Sequence, residues 1–359
     1  MVGTPPGASR PAALPTLRFE TSGVSMTANR LIVVAGAGSI GCFVGGALAH
    51  AGHRVALLAR PRVIEEINRN GLRVTSFEGF DRTLASHELE LSDDAAIFRN
   101  AGVILVTVKS TDTADIADLI ARHAAPDAVV VSLQNGVGNA AVLRERLGGR
   151  RVLAGMVPFN VMALGQGRFH RATSGDIVIE QDDAGTAAQL SAAHLKMRPT
   201  GNIVGVQWGK LLVNLNNALN ALSGLPLREQ LAQRPWRTLL ADQIREGLAA
   251  IKAEGLQPVA PTPVPLALTP VLLRLPDAAF QLLLGRAMKI DPEARSSMWE
   301  DLQRGRPTEI DYLQGVITQI AERHGLKAPL SARIVALIKQ AEADAKGSPR
   351  LTPEQIRSP

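Results

Sequence analysis

Gly36-Ala37-Gly38-Ser39-Ile40-Gly41 spells G-x-G-x-x-G between an apolar run at 31–35 and a stretch from Ser39 to about Ala51 with helical character. In that setting the first glycine permits a tight turn and the second lets backbone approach a pyrophosphate. The third lets helix pack on strand, and the phosphates rest on the positive helix N-terminus. A purely structural glycine turn is the alternative; the strand before and the helix after favour the dinucleotide loop. Past the next apolar run, 55–59, an NAD-specific site would carry an acid for the ribose 2′-hydroxyl. Arg60-Pro61-Arg62 stands there instead. A guanidinium suits a 2′-phosphate, so the expected cofactor is NADPH, against the alternative of two solvated loop arginines.

Two further apolar runs end in polar residues. The run 103–108 leads into Lys109-Ser110-Thr111, and 128–133 into Gln134-Asn135-Gly136-Val137-Gly138. Unbroken apolar runs suit parallel strands covered on both faces, and ligands bind beyond the carboxyl ends of such strands. Lys109 and Asn135 would both project there; otherwise they are a loop lysine and an ordinary Asn-Gly turn. A long helix opening at Trp208 places Lys210, Asn214 and Asn217 at i, i+4 and i+7, on one face. One lysine and two amides on a core-like helix are costly unless satisfied, and a cleft wall explains them. Amides bonding neighbouring helices are the alternative.

The elements that must position these residues follow from the rest of the chain. Its 359 residues suffice for about two domains, and 46% hydrophobic with 20% charged residues fits a globular core. Lys+Arg number 39 against 33 Asp+Glu, and aromatics are 3%, which favours a basic pocket for a small anion over a nucleic-acid groove. The single Cys42 excludes an intramolecular disulfide and suits a reducing cytoplasm, and the seven histidines form no metal-binding pair. Residues 1–29 are rich in Pro, Ala, Gly, Ser and Thr and read as a disordered extension or as an upstream start, without the apolar centre of a secretory signal. The uncharged stretch 31–53 is long enough for a membrane span, but its glycine punctuation is that of strand, turn and helix.

The expected layout is an α/β fold: a Rossmann-type domain over 30–200, an all-helical domain over 201–345 and a frayed tail over 346–359. Short strands between Arg151 and Gln181 would finish the first domain's sheet. The proline-rich segment 259–276 reads as a loop or insertion. Helices are expected over 293–303 and 307–323, with Pro307 at the first position of the second. Glu309 would then be a first-turn carboxylate favoured by the helix dipole.

Taken together, GAGSIG at 36–41, Val106-Thr107-Val108-Lys109, Gln134-Asn135-Gly136-Val137-Gly138, Trp208-x-Lys210-Leu211, Asn214, Ser296-Ser297-Met298 and Thr308-Glu309-Ile310-Asp311-Tyr312 resemble the ketopantoate reductase (2-dehydropantoate 2-reductase) family over about 31–340. The resemblance implies NADPH and a small-molecule 2-oxo acid in a cleft between the two domains, with neither nucleic acid nor membrane as partner, and it is compatible with a homodimer. It implies that Lys210 is the catalytic lysine and that Glu309 lies near that lysine and the nicotinamide ribose. Lys109 and Asn135 match cofactor-contacting positions, Asn135 also near the reacting centre. Asn214 and Ser297 match substrate-contacting positions, and Arg60 the 2′-phosphate arginine. Two departures bear on the substrate: Ala218 and Arg228 stand where the family tends to have asparagines, and Asn217 is offered as a substitute for the first.

The chemistry so implied is reduction of a 2-oxo acid, ketopantoate foremost, with Lys210 as general acid. Its rivals are a reductase of another 2-oxo acid using the same residues, and a non-catalytic NADPH-binding sensor.

Overall fold

In the computed structural model, residues 30–261, 264–285 and 293–358 are described, together with Met1 and Gly3. Both the extension expected over the first 29 residues, apart from those two, and part of the proline-rich segment thus lie outside the described residues.

The apolar runs become the middle of a sheet. Strand β1 (Leu31–Ala35) is buried along its whole length. It pairs in parallel with β2 (Val55–Leu58) on one side and β6 (Ala101–Val106) on the other. Between β2 and β6 in sequence lie β3 (Leu72–Ser76), β4 (Asp81–Leu84) and β5 (Glu90–Ser92). The remaining strands are β7 (Val129–Ser132), β8 (Val152–Met156), β9 (Val161–Gly165), β10 (Arg168–Arg171), β11 (Ile177–Glu180) and β12 (Met197–Thr200). The main sheet runs β12-β11-β8-β7-β6-β1-β2-β5. From β5 to β8 every pairing is parallel, so the loops that follow β1, β2, β6 and β7 emerge at one edge. That is the doubly wound order, with the switch point beside β1.

Alternate residues of β1 feed separate cores. Ile32 and Val34 join the face covered by helix Ser39–His50, while Leu31, Val33 and Ala35 join the face covered by helices Thr113–His123 and Asn139–Leu147. The stretch 151–181 divides its strands. β8 and β11 extend the main sheet, whereas β9 and β10 form a second sheet in the order β4-β3-β10-β9. Helix Ser39–His50 lies between the sheets, and Val74 of β3 comes so near Gly46 that a Cβ there would stand 2.8 Å from its Cγ1. The uncharged stretch 31–53 is thus strand, turn and helix, and no helix of the described residues is long and apolar enough to cross a membrane.

From Ile203 onward the described residues contain helices and turns with a third hydrophobic core. Four expectations are corrected here. The long helix from Trp208 divides into Ile203–Asn214 and Asn216–Ser223, with the Leu215 carbonyl accepting a bond from Gln314 Nε2 at 2.8 Å. The helix expected from 293 starts at Ser297, where Ser296 caps it by accepting from Trp299 N. The helix expected from Pro307 starts at Gln314, preceded by a single 3₁₀ turn, Ile310–Tyr312. The expected frayed tail contains helix Pro353–Arg357, with a Thr352–Gln355 capping box, a fully buried Ile356 and an Arg357–Asp242 ion pair at 2.6 Å. A short helix, Thr269–Leu273, also interrupts the segment read as a loop.

Candidate active site

The glycine-rich turn shows three different needs. Gly36 has φ +107°, and a Cβ there would stand 2.7 Å from Val108 Cγ1. At Gly41 a Cβ would stand 2.2 Å from the Gly36 carbonyl oxygen and 2.7 Å from Thr107 Oγ1. Gly38 is exposed, and a Cβ there would meet nothing within 4 Å. The outer two glycines thus answer to the protein, whereas the middle one faces open space. Thr107 Oγ1 donates to the Gly36 carbonyl at 2.7 Å and fixes the turn. Helix Ser39–His50 begins there with no side-chain cap and no acid in its first turn, so its first N–H groups are left for a ligand.

Open space here belongs to a cavity of about 940 Å³. Gly36, Ala37, Gly38, Ser39, Arg60 and Lys109 lie on its wall; Ile40 and Gly41 stand behind, in the helix. Arg60 and Arg62 are exposed where β2 ends, with no side-chain partner among the described residues. The donors fit a dinucleotide: an uncapped helix start and an open glycine for the pyrophosphate, and free guanidinium groups past the second strand.

Lys109 is engaged. Its Nζ makes an ion pair with Asp301 Oδ1 at 2.8 Å and donates to the Pro307 carbonyl at 2.9 Å, both in the helical domain. Burial pushes the Asp301 carboxyl up, opposed by the lysine. Glu309 makes the adjoining contact: its Oε1 accepts from Ser110 N at 3.0 Å and from Ser110 Oγ at 2.9 Å. No ion pair joins Glu309 to Lys210 among the described residues, so the carboxylate ties the domains together here.

Asn135 follows β7 with its carbonyl held by Ser110 Oγ (3.2 Å) and Asn139 Nδ2 (2.8 Å). Thr113 and Gln134 extend this buried network, Gln134 Nε2 donating to Thr113 Oγ1 at 2.7 Å. The Asn135 side chain itself has no partner among the described residues. Gly136, at φ +79°, passes so close to the helical domain that a Cβ would stand 3.2 Å from the Tyr312 carbonyl.

Lys210 is placed by helix Ile203–Asn214. Gly205 and Gly209 let the backbone of 257–259 press against this helix; a Cβ on Gly209 would stand 1.7 Å from the Val259 carbonyl. On the sheet side, Gln207 Nε2 donates to the Gly155 carbonyl at 2.9 Å and Lys210 Nζ to the Pro158 carbonyl at 2.8 Å. Pro158 follows β8 and Asn135 follows β7, adjacent parallel strands in which Ser132 pairs with Ala154. Lys210 therefore lies beyond the carboxyl edge, one strand over from Asn135. The residue is half-buried, and desolvation brings its ammonium down to about 8.

Asn214 is buried, Asn217 half-buried, and neither side chain has a hydrogen-bond partner among the described residues. Asn217 follows the break at Leu215, so the i, i+7 face does not run through one helix. Ser297 is exposed with a free hydroxyl, while its neighbour Ser296 is fully buried and bonded to the Asn217 carbonyl at 2.9 Å. Asp301, Ser110 and Pro158 escaped sequence reasoning; their partners lie 192, 199 and 52 positions away, and no local spacing announces them.

The model of ketopantoate reductase PanE/ApbA matches residues 32–183, and that of its C-terminal domain matches residues 202–342. The chain belongs to the ketopantoate reductase family. A 2-dehydropantoate 2-reductase of Halobacterium salinarum is 29% identical over 322 residues, 87% of this chain and 99% of that protein. The crystal structure of a PanE/ApbA family ketopantoate reductase from Ralstonia eutropha is 32% identical with a TM-score of 0.74, covering 88% of this chain and 99% of that one. D-mandelate dehydrogenase in ternary complex with NADH and anilino(oxo)acetate, 19% identical over 88% of this chain and 99% of that one, has a TM-score of 0.72 and shares the fold. This ketopantoate reductase family member is thus an oxidoreductase by its family, with a Rossmann-type domain followed by a helical one.

Proposed function

We propose that this chain reduces 2-dehydropantoate to pantoate with NADPH, in pantothenate and coenzyme A biosynthesis in the cytoplasm, with Lys210 as the general acid. The observation that carries the reading is the ammonium of Lys210, desolvated and held by one carbonyl beyond the edge of β8. A bound reduced nicotinamide would supply hydride to the ketone carbon. Lys210 donates its proton to the ketone oxygen as negative charge develops there. Pro158 takes one of its three N–H groups, which leaves two for the substrate. Asn214, Asn217 and Ser297, each with unused polar atoms, bind hydroxyl or carboxylate groups of the 2-oxo acid. Asn135 is held by its own carbonyl with its side chain free for the reacting centre. The open Gly38 and the helix start receive the pyrophosphate, Arg60 the 2′-phosphate, and Glu309 with Lys109 holds the helical domain against this edge.

The test is oxidation of NADPH with ketopantoate beside a panel of other 2-oxo acids. A kcat/KM of about 10⁴ M⁻¹s⁻¹ or more for ketopantoate is expected. A second reading, reduction of another 2-oxo acid, is favoured by Ala218, which lies fully buried in the helical core with no polar group to offer. A panel member turned over better than ketopantoate selects it. Binding of NADPH without turnover of any member would leave a sensor.

A further inference from the structure

We propose that Arg306, carried by the helical domain, is a ligand of the cofactor pyrophosphate, so that the anionic backbone of the cofactor is held from both domains. The proposal rests on the dinucleotide reading above and adds a residue to it. Arg304, Arg306 and Pro307 line the same cavity as Gly36–Ser39. The position of this segment is fixed from two sides. The Pro307 carbonyl accepts from Lys109 Nζ at 2.9 Å, and Lys109 follows Val108, the residue that lies against Gly36. The Arg306 N–H donates to the Asp301 carbonyl at 2.8 Å. The segment is therefore anchored beside the glycine turn, whereas Arg60 and Arg62 stand past β2, on the ribose side.

Arg306 differs from its charged neighbours in its partners. Arg304 pairs with Glu300 at 3.5 Å, and Asp301 with Lys109 at 2.8 Å. Arg306 feels the charge of both carboxylates, yet its half-buried guanidinium makes no hydrogen bond or ion pair among the described residues. The acids on the same cavity wall, Glu66, Asp93 and Asp112, do not pair with it either. A partly desolvated guanidinium with unused donors on the cavity wall is matched by two oxygens of a phosphate.

Calorimetric titration of the intact protein with NADPH and with NADH tests this. Arg306→Ala is expected to weaken both cofactors by about tenfold and to leave their ratio unchanged. Arg60→Ala is expected to weaken NADPH alone. Arg306→Lys, which keeps the charge without the fork, recovers part of the loss. Since the Arg306 side chain makes no hydrogen bond or ion pair among the described residues, the melting temperature of Arg306→Ala should stay close to that of the parent. Wild-type affinity in Arg306→Ala overturns the proposal, as does a loss confined to NADPH, which moves the residue to the 2′-phosphate. A parent protein that binds neither cofactor overturns the dinucleotide reading and this proposal with it.

Discussion

At Lys210 two opposing demands meet. A general acid must keep its proton at working pH and yet give it up readily, and burial lowers this ammonium to about 8, near neutrality. The lowered value means that the lysine loses its charge as pH rises through about 8, so the alkaline limb of kcat/KM for reduction is expected there. A profile that stays flat to pH 10 would remove Lys210 as the acid. Lys210→Ala is expected to lower kcat by about 10²–10⁴-fold with cofactor affinity unchanged, because the hydrogen bond of its Nζ among the described residues goes to the Pro158 carbonyl and it does not line the cavity at the glycine turn. The place of Lys210 on a helix was legible in the sequence, since a lysine among amides on an apolar helix is conspicuous. Its acidity was not, because it comes from burial, which depends on chain far away in sequence such as Pro158 at the sheet edge.

At the level of elements, the sequence reading succeeded where period and punctuation are local and failed where tertiary contacts decide. Strands β1, β2, β6 and β7 announce themselves as apolar runs, and the glycine turn by its spacing. The start of the helix after Pro307 does not. Proline at a first helical position is a sound local rule, but here Lys109 takes the Pro307 carbonyl and Ser110 takes the Glu309 carboxylate. Apart from the 3₁₀ turn Ile310–Tyr312, the chain stays out of a helix until Gln314, and both reach across. A similar competition separates the glycines of the turn, and it can be measured. Gly41→Ala puts a methyl group 2.2 Å from a backbone oxygen and is expected to lower the melting temperature. Gly38→Ala has room in the protein and lies where the pyrophosphate would approach. Its melting temperature should match the parent's while NADPH affinity falls; an unchanged affinity would move the pyrophosphate elsewhere.

Across the whole molecule, each domain has its own hydrophobic core; Ile203 of the helical domain and Val137 of the sheet domain pack across, and polar contacts at the site help join the two. Lys109–Asp301, Lys109–Pro307 and Ser110–Glu309 lie within two consecutive residues of the first domain. Those residues directly follow the strand end that packs on the glycine turn. Domain docking and the proposed cofactor site would therefore share a segment, and loosening one is expected to loosen the other. Glu309→Ala leaves the N–H of the buried Ser110 without its acceptor, a loss of about 1–3 kcal/mol, while the hydroxyl keeps the Asn135 carbonyl. Glu309→Gln keeps an acceptor oxygen and should retain most of that. In differential scanning calorimetry the parent is expected to unfold in one transition. Combining Glu309→Ala with Asp301→Ala should separate the melting of the helical domain from that of the sheet domain, since a two-domain chain stays cooperative only while its interface holds. Saturating NADPH should draw the two transitions back together if the cofactor is gripped from both sides, because a ligand stabilises the docked form it binds. Two transitions that stay apart under saturating cofactor would mean that the first domain alone holds it.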